Sequence, residues 1–225
     1  YKQYYCPEYG TLRPLQKDGS FLEPFNPRQG ENFEPVPGFH EGSAWNYTFY
    51  VPHDIMGLAK LMGGRKAFVS RLQKVFDEGL YDPANEPDIA YPYLFSYFKG
   101  EEWRTQKTVH ELLEKYYTTR PNGLPGNDDT GTMSAWAIFS MMGFYPDCPG
   151  KAEYTLTAPR FDSIEIRLAP EYCEGENKLV IKCSRTSGEG WKKIGSVKLS
   201  GKTLPSLRVS HKDLVKGGLL EFRCL

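Results

Sequence analysis

The feature that most constrains the fold is a single change in the spacing of apolar residues along the chain. Between about residues 41 and 145, apolar side chains recur every three or four positions, as from Phe68 to Phe76, which indicates amphipathic helices. From Tyr154 onward they alternate with polar residues, as from Ile164 to Leu168, which indicates strands. Helices followed by antiparallel strands predict an α+β fold.

Glycine and proline mark where the predicted elements stop. The first 40 residues carry many prolines, glycines and aromatic residues without a sustained period, so we expect a functional loop region there. The change from helices to strands near residues 146–151 predicts two domains, 1–150 and 151–225. The predicted helices cover residues 54–61, 65–78, 90–98, 103–117 and the segment from 132 to 142; the predicted strands cover 164–168, 179–183, 194–199 and 219–224, with a tight turn at 200–202.

Composition narrows the classes of function. The 28 Lys and Arg balance the 28 Asp and Glu, so the formal net charge is zero, which argues against a nucleic-acid or anionic-membrane partner. No apolar run approaches the roughly 18 residues of a membrane span. Aromatic residues make up 14% of the chain, which fits a large core or stacking platforms for sugars or bases. The five cysteines form no CxxC pair, so we expect mostly free, buried thiols.

The densest polar signal is the run from Gly126 to Gly131, directly before an apolar helix. It contains Asn127, Asp128 and Asp129 between two glycines. A carboxylate at a helix start is favoured for capping and for its interaction with the helix dipole. Two adjacent carboxylates and an amide exceed what one cap needs, so a functional role stays open beside the capping role.

Two further segments carry carboxylates among aromatic or rigid neighbours. In the run from His40 to Tyr47, Glu41 is flanked by small and aromatic residues, and such surroundings raise a carboxyl pKa as a general acid requires. In Asn85-Glu86-Pro87-Asp88, oxygen ligands on a rigid turn suit a hard cation such as calcium. Exposed-loop and turn roles remain the alternatives for both segments.

Carboxylates far apart in sequence, on loops at helix ends and among aromatic residues, are typical of glycoside hydrolysis. The sequence shows no Ser-His-Asp ordering, no phosphate-binding glycine loop and no HExxH motif.

These segments resemble the glycoside hydrolase family 92 α-mannosidases. The resemblance extends over nearly the whole chain from about Phe39, with ordered motifs, and family members are much longer. The chain is therefore expected to be a C-terminal part that lacks the N-terminal domain of the same protein. The matching segments are His40–Tyr47, Val51–Asp54, Asn85–Asp88, Trp103–Gln106, Gly126–Trp136, Gly143–Pro146, Pro159–Asp162 and His211–Leu214 before Gly217-Gly218.

The resemblance implies an exo-acting, calcium-dependent, inverting α-mannosidase of α-1,2 type that acts on mannosides of N-glycans or mannans. It implies part of an (α/α)6 helical barrel followed by a small antiparallel β domain, in a bacterial protein that is periplasmic or on the cell surface. The isolated chain is expected to be inactive.

Site roles follow from the resemblance by position. Glu41 would be the general acid, Asp129 the general base with Asp128 beside it, and Glu86 a Ca²⁺ ligand, with carbonyls near Ala44 and Ile89 as companions. Inversion would need the two catalytic carboxyls roughly 6.5–9.5 Å apart. The expected substrate-binding residues are Asn85, Asn127 and Trp45.

One departure from the family bears on the base. Many members carry an Asp where this chain has Asn127, and an amide cannot share proton transfer. The work would then fall on Asp129, helped by Asp128, which leaves the linkage preference open. Two alternatives also stay open: a non-catalytic carbohydrate-binding module, which needs neither Glu41 nor Asp129, and another inverting (α/α)6 glycosidase with a different sugar preference.

Overall fold

A computed structural model describes residues 1–30, 34–173, 175–186 and 190–225. The chain divides into two compact units, Tyr1–Tyr91 and Pro92–Leu225. The predicted change from helices to strands near residue 150 falls inside the second unit. Within the described ranges, no helix is both long enough and apolar enough to cross a membrane.

The first unit combines a short hairpin with three helices. Strands β1 (Tyr5–Cys6) and β2 (Thr11–Leu12) pair antiparallel, after a 3-10 helix at Lys2–Tyr4. They lie in the predicted loop region, of which residues 31–33 are outside the described part. The helices that follow are α1 (Ala44–Thr48), α2 (Ile55–Leu61) and α3 (Arg65–Asp77).

Helices α2 and α3 confirm the sequence prediction. The Asp54 side chain caps α2 by accepting a hydrogen bond from the Gly57 amide at 2.9 Å. Gly63 and Gly64 both have φ of +99°, a region open mainly to glycine, and they separate α2 from α3. The buried face of α3 carries Phe68, Val69, Leu72 and Val75.

The predicted helix over residues 90–98 differs in type, because the structure has a 3-10 helix at Tyr91–Tyr97. Tyr91, Tyr93 and Phe95 are each at most 1% exposed, so the segment is buried on more than one side. Tertiary packing of these large rings sets the local conformation, rather than an amphipathic helical stripe.

The second unit begins with two long helices, α4 (Glu102–Tyr116) and α5 (Thr132–Met142). Gly143 ends α5 with φ of +94°, and a Cβ there would lie 2.7 Å from the Pro159 side chain. The buried Gln106 side chain of α4 accepts a hydrogen bond from the Ile194 amide at 2.9 Å, which ties this helix to the following strands.

Two sheets complete the second unit. Their strands are β3 (Phe144–Tyr145), β4 (Glu153–Leu156), β5 (Ser163–Arg167), β6 (Lys178–Arg185), β7 (Ile194–Leu199), β8 (Lys202–Thr203), β9 (Arg208–Ser210) and β10 (Gly218–Cys224). One sheet has the order β3-β4-β9 and the other β5-β6-β10-β7-β8, with the four-residue helix α6 (His211–Leu214) between β9 and β10.

The β region is mainly antiparallel, as expected, and contains one parallel strand pair. β10 lies between β6 and β7 and runs parallel to β6, with Leu219 opposite Val180, while it runs antiparallel to β7. Parallel neighbours need a long crossover, and here the chain passes through β7, β8, β9 and α6 before it returns. The other strand pairs of both sheets are antiparallel.

Both sheets contribute to one hydrophobic cluster. The five cysteines are free thiols, as expected. Cys183 and Cys224 belong to this cluster, with their sulfurs 3.6 Å apart, and Cys6 is also buried. The cluster is formed by Phe144, Leu156, Leu179, Ile181, Cys183, Ile194, Val197, Val209, Leu214, Leu220, Phe222 and Cys224.

Candidate active site

Glu41 lies on a turn that directly precedes α1. Its φ is +53°, a left-handed conformation that residues other than Gly, Asn, Asp and His rarely adopt. The side chain is 57% exposed, and the His40 Nε2 lies 3.5 Å from the Glu41 Oε1. The carboxyl that the sequence predicts as an acid is therefore accessible and has an imidazole beside it.

The backbone of this turn is held by side chains from both sides. The Tyr47 hydroxyl donates to the His40 carbonyl oxygen, and the Asn85 amide nitrogen donates to the Glu41 carbonyl oxygen. A Cβ on Gly42 would lie 3.1 Å from Asn85 Nδ2 and 3.2 Å from Asn46 Oδ1, so the glycine packs tightly on both amides. Backbone strain at Glu41 persists because its surroundings determine the conformation at several points.

The segment from Asn85 to Asp88 supplies part of that support. Asn85 is 7% exposed and contacts the Glu41 turn, whereas the Glu86 side chain is exposed. Asp88 is fully buried, and burial raises its pKa well above the ordinary value. The sequence predicts that this segment binds a cation. It does not predict the contact by which Asn85 supports the turn that carries Glu41.

Glu86 is the residue of this segment that could hold a metal ion. Among the described residues, no group of three or more His, Cys, Asp or Glu side chains is arranged for a metal. The Ala44 carbonyl oxygen, an expected companion, already accepts from the Thr48 hydroxyl at 2.6 Å. One exposed carboxylate and carbonyl oxygens fit calcium as a hard cation only if sugar hydroxyls and waters supply most of the six to eight ligands.

In the second unit, the Gly126–Gly131 segment gives its two carboxylates different surroundings. Asp128 accepts from both the amide and the hydroxyl of Ser134, at 2.8 and 2.7 Å, and the amide first and then the hydroxyl lower its pKa. That is the capping role that the sequence left open. Asp129 is exposed, with φ of +41°, and its carbonyl oxygen accepts from the Thr132 hydroxyl at 2.6 Å.

Non-glycine residues with positive φ are concentrated at the Glu41 turn and in the Gly126–Gly131 segment. Among the described residues, only four non-glycine residues have it: Glu41, Asp129, Thr130 and Ser200. Ser200 lies in the two-residue turn between β7 and β8, which explains its conformation. The other three are the two predicted catalytic carboxylates and the residue that follows one of them.

The remaining predicted residues are placed differently. Asn127 is exposed, next to Asp128. Trp45 is 4% exposed, and the Lys74 ammonium lies 5.3 Å from its ring centroid, which favours packing over stacking on a sugar. Within the first unit, Asn85 contacts Glu41 directly, and Glu86 is the next residue in sequence. The second unit contains Asn127, Asp128 and Asp129.

Sequence reasoning missed the supporting residues. The Tyr117 ring stacks on Trp136 with centroids 5.3 Å apart, and burial, followed by the charge of Asp128, raises the Tyr117 pKa. Asn46 and Asp88, which contact each other, were part of the quoted motifs but received no role. Both residues lie inside the segments that resemble the family, and neither is assigned a catalytic or binding role there. That position in the sequence is the signal that could have identified them as supporting residues.

Comparisons with known proteins agree on one family. The model of the glycosyl hydrolase family 92 catalytic domain matches residues 1–224. A protein described as an uncharacterized secreted glycosidase from Arthroderma benhamiae is 31% identical over 182 residues, which are 81% of this chain and 23% of that protein.

Solved structures are similar over the whole chain. A family GH92 α-mannosidase from Bacteroides thetaiotaomicron in complex with mannoimidazole has a TM-score of 0.86 and 26% identity, covering 100% of this chain and 31% of that one. A family GH92 inverting mannosidase from the same organism has a TM-score of 0.83 and 28% identity, covering 100% and 32%. This chain thus spans less than a third of the length of these relatives.

Proposed function

Because this chain belongs to glycosyl hydrolase family 92, we propose that it is part of an exo-acting, calcium-dependent, inverting α-mannosidase of α-1,2 type. Its substrates are mannosides of N-glycans or mannans. The observation that carries the proposal is the positive φ of the exposed Glu41, held by contacts from Asn85 and Tyr47, because residues in strained backbone conformations cluster at active sites. The similar structures of an inverting mannosidase and of an α-mannosidase with mannoimidazole support mannose as the substrate class.

Glu41 acts as the general acid in this proposal. Its carboxyl is accessible to a glycosidic oxygen, and its backbone is fixed through the hydrogen bond from Asn85. A fixed carboxyl that donates its proton as the glycosidic bond breaks stabilises the departing oxygen. The proton goes to the leaving sugar, and Glu41 is left as a carboxylate.

Asp129 acts as the general base. Its side chain is exposed, whereas both carboxylate oxygens of Asp128 accept hydrogen bonds from Ser134. A carboxylate whose two oxygens each already accept a hydrogen bond is a weaker base, so Asp129 takes the proton from water and Asp128 holds the start of α5. Asn127 can orient the water or a sugar hydroxyl but cannot accept the proton.

Calcium is the proposed cofactor, and Glu86 is the side chain that would hold it. The ion, when bound, supplies positive charge that orients neighbouring hydroxyl groups of a mannose ring. The chain's own part is to present the exposed Glu86 carboxylate beside Asn85, whose amide nitrogen is engaged with the Glu41 turn.

The wider architecture is part of the same proposal. The helices contribute to an (α/α)6 barrel in the whole protein, and the 225-residue chain alone is inactive because it lacks the rest of that barrel. The whole protein is secreted, with the periplasm or cell surface as its location, and the similarity to a glycosidase described as secreted supports the secretion.

The test compares two substrates in the whole protein that carries this chain. We expect Glu41→Gln to lose most turnover on a mannose disaccharide and much less on an activated aryl mannoside, whose leaving group needs little protonation. Asp129→Asn should lose turnover on both, and Glu78→Gln, an exposed glutamate of the first unit, serves as the matched control. The first product seen by NMR should be the β-anomer of mannose.

Equal losses of Glu41→Gln on both substrates would remove the acid assignment. A first product with the α configuration would contradict the inverting mechanism. Sugar binding without any hydrolysis would favour the carbohydrate-binding module instead.

A further inference from the structure

Asn46 has a single amide orientation that its surroundings dictate. The residue is 4% exposed, and its Oδ1 accepts from both the amide and the hydroxyl of Ser43, each at 2.8 Å. Its Nδ2 donates to Asp88 Oδ2 at 2.7 Å and to the Leu80 carbonyl oxygen at 3.3 Å. A flipped amide would set its oxygen against two acceptors and its nitrogen against the Ser43 amide, so it is excluded.

Asp88 is the partner that fixes this orientation most firmly. It is fully buried, and its Oδ2 accepts from the Asp82 amide at 3.0 Å as well as from Asn46. Its Oδ1 has no hydrogen-bond partner among the described residues. The whole of its side-chain hydrogen bonding is therefore concentrated in one oxygen, which holds the Asn46 amide and the Asp82 backbone together in the buried interior of the first unit.

The same amide supports the turn that carries Glu41. Asn46 Oδ1 holds the Ser43 amide, two residues after Glu41, and lies 3.2 Å from where a Cβ of Gly42 would be. Asn85, which belongs to the same segment as Asp88, holds the Glu41 carbonyl oxygen. Two side-chain amides therefore support the turn with φ of +53°. The Asn46 amide is held by Asp88, and the Asn85 amide lies three residues before Asp88 in the chain.

We propose that Asp88 is a positioning residue that acts through the Asn46 amide to hold the Glu41 turn in its strained conformation. The inference rests on the proposed role of Glu41 as general acid. Asp88 itself is buried and does not contact substrate. Its removal releases the Asn46 amide, relaxes the turn at Ser43 and Gly42, and misplaces the Glu41 carboxyl relative to the leaving oxygen.

The experiment uses the whole protein that carries this chain and measures kcat and KM on a mannose disaccharide and on an activated aryl mannoside. Asp88→Leu removes the acceptor while keeping the branching and the number of heavy atoms of the side chain. We expect its kcat to fall at least about tenfold more on the disaccharide than on the aryl mannoside, with KM nearly unchanged on both. Asp88→Asn, whose Oδ1 can accept from Asn46 and the Asp82 amide, should restore most of the lost turnover.

The ratio between the two substrates separates positioning from stability, because it cancels the concentration of folded enzyme. Val75→Ala, a cavity variant in the buried face of α3, is the matched control and should lower both rates in proportion to folded protein. If Asp88→Leu gives no folded protein, Asp88→Ser is measured in its place, since its hydroxyl is too short to reach Asn46.

The outcomes distinguish this inference from the function on which it rests. A substrate-dependent loss in Glu41→Gln together with equal losses in Asp88→Leu overturns the positioning role alone. Wild-type kcat in Asp88→Leu overturns it as well. Equal losses in Glu41→Gln overturn the acid assignment itself, whatever the Asp88 variants do.

Discussion

Tyr91 offers a stability test of the same support, with no cavity involved. Its side chain is 1% exposed, and its hydroxyl accepts from the Phe49 amide at 3.0 Å and donates to the Asn46 carbonyl oxygen at 2.5 Å. Burial raises the pKa of Tyr91 well above its ordinary value, so the hydroxyl keeps its proton and can donate. Tyr91→Phe deletes this hydroxyl and leaves both backbone groups buried without that partner.

The size of the effect follows from those two groups. A buried donor or acceptor left unsatisfied costs about 1–3 kcal/mol. Two groups at the low end of that range predict a loss of about 2 kcal/mol, because the Phe49 amide keeps its bond to the Tyr47 carbonyl oxygen and because removing the hydroxyl also removes its own desolvation. With a slope of about 2 kcal/mol per molar urea, the midpoint of the unfolding transition should fall by roughly 1 M.

Urea unfolding and hydrogen exchange measure this loss independently. The Phe49 amide keeps only its bond to the Tyr47 carbonyl oxygen, so its exchange should accelerate by up to roughly 30-fold, the equivalent of about 2 kcal/mol. Tyr154→Phe is the matched control, because the Tyr154 hydroxyl bonds His211 Nδ1 at 2.8 Å in an exposed position and should cost under about 0.5 kcal/mol. A Tyr91→Phe loss no larger than that of Tyr154→Phe would refute the reasoning.

Three other expectations follow from single contacts. Chelation should abolish mannosidase activity of the whole protein, and Glu86→Gln should weaken calcium affinity in calorimetry; full activity in chelator would remove the metal. Asp128→Asn, which keeps an acceptor for the Ser134 amide, should retain activity and helix content by circular dichroism, while Asp128→Ala loses stability; inactive but fully folded Asp128→Asn would make Asp128 part of the catalytic machinery. The Tyr1 hydroxyl and then the Gly57 amide hold the pKa of Asp54 below its ordinary 3.8, so its stabilisation is complete above that value and lost as pH falls through the lower folded pKa. The Tm difference between wild type and Asp54→Asn should therefore be present at pH 7 and shrink as the pH falls below 3.8, and a difference that grows on acidification would contradict the sign.

Short-range sequence signals, such as a glycine next to an apolar stretch, were enough to predict the elements whose ends are set by residues adjacent in sequence. The glycines that flank residues 65–77 and the apolar face of that stretch predict α3, and Ser200-Gly201 predicts the hairpin turn between β7 and β8. Both follow from backbone preferences that act over a few residues. Agreement at these places shows local and tertiary preferences pointing to the same structure.

The features that the sequence did not predict depend on contacts between distant residues. Alternating apolar residues in β10 identify a strand but contain no information on its partner, so its parallel pairing with β6 was missed. The bond between Asn46 and Asp88 joins residues 42 positions apart, and neither residue type indicates the other. Pairing of this kind is set by the tertiary fold, which a single sequence specifies only indirectly.

Backbone strain gives evidence for the site that is independent of family resemblance. Left-handed backbone at a residue with a Cβ costs of order 1–3 kcal/mol, and a turn type that requires it accounts for Ser200. No such hairpin contains Glu41 or Asp129, yet the first is braced by Asn85 and by the packing of Gly42, and the second precedes Gly131 at the start of α5. Glycine would adopt the conformation at either position at no such cost, and Asp tolerates it better than Glu. The proposed roles of the two side chains account for a carboxylate at each position, and the larger cost falls at Glu41, where the bracing by Asn85 offsets it.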